Sequence, residues 1–332
     1  MSFEDPGAHP APQHERRVLV TGGSGFIGRH VVAALTEAGA YVRIVDLVPH
    51  RDADIDIVLG DIADPDVLSA ALAGGFDAVV HLAAVTSVLR SIEHPELTYK
   101  TNVAATHALL EAARKSGVEV IAFASTNAVT GPMQSQAITE HDALRPLTPY
   151  GATKAAAEML MSAYTASYGL RCACLRLTNV YGLGMQAKDS IVARLMRVIR
   201  LGGTFEIYGD GTQVRDYVNV SDVVAALRLA LTREDWSGPV VIGSGSSRSV
   251  LDVLDVVREV TQAEFDVRHA PPKAGEMPAV IVDPGLARGR GWSPQTSFEV
   301  GLRAVWEEWS RADPATVAAG APVASVSAGG HV

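Results

Sequence analysis

Short runs of β-branched and apolar residues alternate with longer stretches of helical period through the first half of the chain. That alternation restricts the fold to βαβ units built on a parallel sheet. The runs at 17–21, 41–45, 57–59, 78–82, 120–124 and 172–177 are apolar throughout, as expected of strands covered on both faces. Between them, 27–38, 65–73, 99–116 and the Ala-rich 148–168 carry helix-favouring residues at amphipathic spacing. The expectation is an α/β fold, a doubly wound parallel sheet. After Tyr181 the elements become shorter and less regular, which predicts a smaller C-terminal α/β lobe interleaved with late sheet elements.

Composition sets the outer limits. With 332 residues, 48% hydrophobic and 20% charged, the chain has ample material for a core of about two folding units. The 28 Lys+Arg against 37 Asp+Glu give a net charge of −9, which argues against a nucleic-acid partner. No apolar run approaches the roughly 18 residues that span a bilayer, so no membrane association is expected. The segment 1–17 lacks the cationic start and apolar stretch of a signal peptide. Cys172 and Cys174 share one face of a strand and read as small buried apolar residues, with a metal or redox role as the other possibility. The ten histidines show no ligand spacing with them, so no metal site is expected, and a cytoplasmic location fits. The expected organisation is a flexible arm over 1–14, a dinucleotide-binding domain over 15–181, a substrate lobe over 182–311 and a disordered tail over 312–332.

The first strand runs into Thr21-Gly22-Gly23-Ser24-Gly25-Phe26-Ile27-Gly28, followed by helix-forming residues. This is the context of a Rossmann dinucleotide fingerprint, in which glycines let backbone N–H groups approach a pyrophosphate at the positive end of the next helix. Two frames coexist: Gly23, Gly25 and Gly28, or Gly22, Gly25 and Gly28. Asp46 ends the second strand, where a carboxylate accepts from ribose hydroxyls and repels a 2′-phosphate. NAD is favoured over NADP, although Arg43 and Arg51 nearby leave the second open, and Asp46 also reads as a plain turn residue. Asp61 and Ile62, after the third strand, are candidates for the adenine.

Tyr150-Gly151-Ala152-Thr153-Lys154 places a phenol and an ammonium on one helix face at i and i+4. A tyrosine is inert at its usual pKa of ~10. A neighbouring lysine and a nicotinamide cation both favour the phenolate, which makes it a proton acceptor. Ser125 and Thr126 end the fifth strand at the carboxyl edge of the sheet, where ligands bind in this architecture.

On these residues the chain resembles the extended short-chain dehydrogenase/reductase family, in its NAD-dependent nucleotide-sugar epimerase/dehydratase branch. Further matching motifs are HLAA at 81–84, Asn102, LRLTNVYG at 175–182, YGDGTQVRDYVNVSDV at 208–223 and GWSP at 291–294. The resemblance implies that Thr126 is the catalytic hydroxyl, Tyr150 the acid/base, and Lys154 the residue that binds nicotinamide ribose and lowers the tyrosine pKa. It implies cofactor contacts from Phe26, Ile27, Leu82, Ala83, Ala84, Asn102 and Leu177 as well. For the sugar nucleotide it points to Val85, Asn127, Asn179, Arg194, Tyr208, Gly209, Gln213, Arg215 and Glu276, with Lys273 standing where an arginine would be looked for. Arg215 also reads as a structural ion pair with Asp216 or Asp222. A homodimer through helices 99–116 and 148–168 is implied, with Met159, Met161 and Ala163 outward, although these residues also suit packing on the sheet.

Within that branch, dehydratases carry an Asp-Glu pair after the catalytic Thr. Here those positions hold Asn127 and Ala128, which neither deliver nor abstract a proton, and a glucuronate decarboxylase lacks its usual Glu at Ala128 for the same reason. The family's VYG is Val129-Thr130-Gly131. The expected reaction is C4 epimerisation of a UDP-sugar, with UDP-glucose/UDP-galactose and UDP-glucuronate both open. Arg194 and Arg197 suit a sugar carboxylate, the diphosphate or merely a solvated helix face. A nucleotide-sugar dehydrogenase or 4-ketoreductase with net redox turnover, and a non-catalytic NAD-sensing regulator, are the alternatives.

Overall fold

The computed structural model describes residues 16–133, 135–271 and 279–319. The strands are β1 (Arg17–Thr21), β2 (Tyr41–Asp46), β3 (Asp56–Leu59), β4 (Ala78–His81), β5 (Val120–Thr126), β6 (Arg171–Leu177), β7 (Asn179–Tyr181), β8 (Thr204–Tyr208), β9 (Val214–Asn219), β10 (Gly238–Ile242), β11 (Ser247–Ser249) and β12 (Asp266–Ala270). Seven of them form one parallel sheet in the order β10-β6-β5-β4-β1-β2-β3. The chain reverses direction across the sheet between β1 and β4, and the crevice at the carboxyl ends of those two strands is where ligands bind in such folds. The six expected strands lie in this sheet, and β10 adds a seventh.

The apolar character of the strands follows from two clusters, one on each face. On one side the helices Phe26–Glu37 and Val220–Thr232 pack Val31, Val32, Leu35, Val223 and Leu227 against Val18, Val20 and Ile44. On the other, Leu68, Leu109, Leu110 and Met161 pack against Leu19, Val79, Ile121 and Phe123. Each fully buried Leu or Phe contributes roughly 1.5–3 kcal/mol over an exposed one. Cys172 and Cys174 are free and buried in the second cluster, and burial pushes the Cys172 thiol up to about 11, so they act as apolar residues.

The smaller lobe has its own core, in which Met196, Phe205, Ile207, Tyr217, Leu254, Phe298, Leu302 and Trp309 meet. Its sheets are β11-β9-β7 and β12-β8, so the lobe begins at Asn179, while the helix Val220–Thr232 and β10 return to the main sheet. Two expectations need correction. The tail is ordered at first: a helix Pro314–Ala319 follows Asp313 and buries Val317 in the lobe core, apolar contact enough to hold it. The helix expected over 99–116 is broken into Pro95–Tyr99, a π-helical turn Lys100–Ala104 and Ala105–Lys115. The arm at 1–14 lies outside the described residues, as does the tail from 320 onward.

Candidate active site

The glycine loop leaves β1 at the crevice, and its geometry decides between the two frames. Gly22 has φ +71°, and a Cβ there would stand 2.8 Å from the Ala83 backbone nitrogen. On Gly28 a Cβ would lie 2.2 Å from the Gly22 carbonyl oxygen, and on Gly25 3.2 Å from the same atom. At Gly23 the collision is with the Ile44 side chain instead. The frame enforced by backbone is therefore Gly22, Gly25 and Gly28, with Phe26 and Ile27 opening the helix Phe26–Glu37. Asp46 faces this loop from the end of β2: Oδ2 accepts from Ser24 N at 3.0 Å and Oδ1 from Val48 N at 3.2 Å. Each oxygen keeps a lone pair for a ribose hydroxyl. Arg43 turns away to Asp56 at 2.7 Å and the Ala73 carbonyl at 2.7 Å, so it is not available for a 2′-phosphate. A glycine cradle that any Cβ would fill, closed by this carboxylate, fits NAD.

Across the crevice, Leu82 N and Ala83 N donate to Thr21 Oγ1, each at 3.2 Å. Thr21 Oγ1 also meets His81 Nδ1 at 2.7 Å, and His81 Nε2 meets Thr106 Oγ1 at 2.9 Å. Thr106 in turn donates to the Asn102 carbonyl, which assigns the His81 proton to Nε2. Burial, then the Lys154 charge, hold His81 neutral with a pKa of about 3. Ala84 and Val85 continue this loop. Asn102 sits in the π-helical turn, 1% exposed, and brackets Val85: Oδ1 accepts from Val85 N at 2.8 Å while Nδ2 donates to Val85 O and to Thr153 Oγ1. Its amide holds the loop that carries the expected cofactor contacts. Ile62 and Leu177 are buried in the clusters on opposite faces of the sheet, whereas Asp61, next to Ile62 in the chain, stays exposed.

The residues expected to be reactive come from β5 and the helix Pro149–Tyr168. Thr148 caps that helix by accepting from Gly151 N at 3.2 Å, and Pro149 occupies its first turn. A Cβ on Gly151 would stand 2.6 Å from the Ala128 carbonyl, so the glycine lets the first turn seat on the 3₁₀ turn Asn127–Val129. Ser91, unmarked in the sequence, accepts from Tyr150 N at 3.1 Å. The Tyr150 phenol is hydrogen-bonded to Thr126, and Thr126 Oγ1 also accepts from Ala128 N at 3.2 Å. Lys154 is buried, with Nζ donating to the Ala124 carbonyl at 2.8 Å and standing 4.4 Å from the Phe123 ring centroid. Burial presses Lys154 down to about 7, opposed chiefly by Glu158. Without the nicotinamide cation Tyr150 is raised, burial outweighing the Thr126 contribution.

Beside this centre a cleft of about 390 Å³ gathers Asn179, Arg194, Tyr208, Gln213 and Arg215 with Tyr181, Phe205, Ile207 and Tyr217. These five polar residues were expected, whereas Asp189, Ser190 and Glu206, which also line the cleft, were not. The apolar lining escaped notice because β7, β8 and β9 are short and their alternation is weak. Asn179 Nδ2 donates to the Asp216 carbonyl at 2.9 Å, and Gln213 Nε2 to the Tyr208 carbonyl at 2.8 Å. Gly209 turns the chain at φ +78°. Arg194 lies over the Phe205 and Tyr208 rings, at 5.3 and 5.8 Å from their centroids. The Asp216 and Asp222 carboxylates are taken by other groups, Thr178, Ser244 and Gly245 for the first and the Gln295 and Thr296 amides for the second. Arg197 donates to the Gln186 and Lys188 carbonyls, which ties it to the loop. Lys273, Gly275 and Glu276 lie outside the described residues, and Asn127 is buried beside Thr126.

The family model described as "NAD dependent epimerase/dehydratase family" matches residues 18–243. The chain belongs to that family. A putative UDP-glucose 4-epimerase of Methanocaldococcus jannaschii is 32% identical over 87% of this chain and 96% of its own length. Among solved structures, the UDP-glucose 4-epimerase of Thermus thermophilus in complex with NAD is 34% identical, with a TM-score of 0.84 over 90% of this chain and 100% of that one. MoeE5 in complex with UDP-glucuronic acid and NAD is 37% identical, with a TM-score of 0.83 over 89% of this chain and 99% of that one. As a member of the epimerase/dehydratase family the chain uses NAD, and the cradle around Gly22, Gly25, Gly28 and Asp46 is where it fits. Among the described residues, no helix is long and apolar enough to cross a membrane.

Proposed function

We propose that the protein is an NAD-dependent UDP-sugar 4-epimerase, acting on UDP-glucose/UDP-galactose or UDP-glucuronate in the cytoplasm. The observation that carries this reading is the Thr126–Tyr150–Lys154 centre with Asn127 and Ala128 as its neighbours. Bound NAD supplies reversible hydride exchange at the sugar C4. Tyr150 takes the 4-hydroxyl proton during oxidation and returns it during reduction, with Thr126 bonded to the phenol. Burial alone favours the neutral phenol, so proton uptake depends on positive charge nearby, of which Lys154 supplies one. Arg215 and Arg194 in the adjoining cleft suit the diphosphate, a planar fork of donors matching phosphate oxygens. With neither an acid nor a base at 127 and 128, no group there eliminates water, and the keto sugar turns over to accept hydride on its other face.

The likeness to a UDP-glucose 4-epimerase and to MoeE5 in complex with UDP-glucuronic acid supports a UDP-linked hexose or hexuronate. The deciding experiment incubates the purified protein, without added cofactor, with UDP-glucose and UDP-glucuronate and resolves the products by NMR. C4 epimers formed without net NAD consumption are expected. Stoichiometric NADH formation would make it a net oxidoreductase, and unchanged turnover in Tyr150→Phe would leave only a binding role. We also propose a homodimer through the helix Pro149–Tyr168 and its neighbours. Met159 and Ala163 face outward there, whereas Met161 packs into the sheet core, a correction to its expected position.

A further inference from the structure

Three successive residues of β5 are tied to three successive turns of the helix Pro149–Tyr168. The Ala124 carbonyl accepts from Lys154, the Thr126 hydroxyl meets the Tyr150 phenol, and between them Ser125 Oγ donates to Glu158 Oε1 at 2.5 Å. Glu158 lies one turn beyond Lys154, as Lys154 lies one turn beyond Tyr150, so carboxylate, ammonium and phenol share one face. Arg176 on β6 grips Glu158 with two nitrogens: Nη2 reaches Oε2 at 2.9 Å and Nε reaches both oxygens at 3.2 Å. Arg176 Nη1 is held in turn by the Glu140 carbonyl at 3.2 Å. Both charged side chains are buried, and neither lines the nucleotide cleft.

A buried ion pair is a weak source of stability, since apolar residues of similar volume often serve as well. We propose that Glu158, gripped by Arg176, is a positioning residue for the reaction: it fixes the register in which Tyr150 and Lys154 meet β5 and keeps a negative charge beneath the Lys154 ammonium. The inference rests on Tyr150 and Lys154 being the reactive pair. The groups around Lys154 single Glu158 out. Its own helix presents Tyr150 and Glu158, β5 presents the Phe123 ring and the Ala124 carbonyl, β6 presents Cys174 and Arg176, and β4 presents His81. His81 is neutral above about 3, and burial keeps the Cys174 thiol protonated. Arg176 is engaged with the carboxylate. Among the described residues, Glu158 is therefore the charged group that favours the Lys154 cation against burial.

The test uses the full, NAD-loaded chain as Glu158→Gln and as the charge-free pair Glu158→Leu/Arg176→Met, so that a folding defect in the first leaves the second. Melting temperature and bound NAD content report the fold. The pH profile of sugar-driven turnover and the pH dependence of NADH binding, followed by its fluorescence, report the positioning role. Loss of the carboxylate lowers the Lys154 pKa, so the basic limb of both profiles is expected to move down by roughly one pH unit, with turnover at neutral pH reduced about five- to tenfold. A folded, NAD-loaded variant with an unmoved limb overturns the proposal. Tyr150→Phe run in parallel separates the two failures: if it keeps full turnover the reading of the reactive pair is wrong, and if it loses turnover while the Glu158 variants keep the wild-type profile, only the positioning role is wrong.

Discussion

Gly28 shows how one missing methyl group defines a cofactor site. Its Cβ would sit 2.2 Å from the Gly22 carbonyl oxygen, inside any permitted contact, so Gly28→Ala must push the helix away from the loop. The expected cost is on the order of 1–3 kcal/mol in stability, together with at least a tenfold loss of NAD affinity, read by thermal melting and calorimetric titration. His81 acts through its protonation state. Because its pKa is about 3 in the fold against an ordinary 6.5, the unfolded chain binds this proton more readily. Its contribution is complete above 6.5 and declines as pH falls from 6.5 toward about 3. Within that window His81→Gln should flatten the slope of unfolding free energy against pH by about 1.4 kcal/mol per unit at most. Denaturant melts at several pH values check this, and an unchanged slope would show that another group carries the acid sensitivity.

At the scale of elements, the helix Pro149–Tyr168 carries the proposed reactive pair, and hydroxyls of Thr148 and Ser91 accept from the amides of its first turn. Thr148→Ala removes the bond to Gly151 N and should cost about 1 kcal/mol. Turnover is expected to fall more than stability suggests, since the first turn holds Tyr150, and denaturant melts beside steady-state rates measure both. This helix was legible in the sequence because its Ala-rich body is a local signal. The sheet strands were legible for a similar reason, being continuously apolar. The break at Lys100–Ala104 was not. Its cause is tertiary: Asn102 is drawn inward to bracket Val85 and reach Thr153, and a π-turn gives the extra residue that this requires. The same holds for Glu158 and Arg176, which are ordinary charged residues until β5 and β6 are laid side by side.

At the scale of the whole molecule, an apolar face is left exposed among the described residues. Leu89, Ile92, Leu97 and Tyr99 on the helices Val88–Glu93 and Pro95–Tyr99 are each at least 41% exposed, and Met159 is 59% exposed on the helix against which both pack. Large neighbouring apolar side chains on a solvent face mark an interaction surface, and a two-fold axis through it would pair each residue with its counterpart in a second copy. Such a pairing would also clamp the outer side of the helix whose inner side holds Tyr150 and Lys154, and would thereby couple association to the proposed catalysis. The double variant Tyr99→Glu/Met159→Glu brings four carboxylates into a two-fold contact and should shift the protein from dimer to monomer in sedimentation equilibrium, with a lower melting temperature. Because the substitutions lie on the face away from the crevice, bound NAD should persist while turnover drops. A wild-type chain that sediments as a monomer would remove the dimer from this account and leave that face to some other partner.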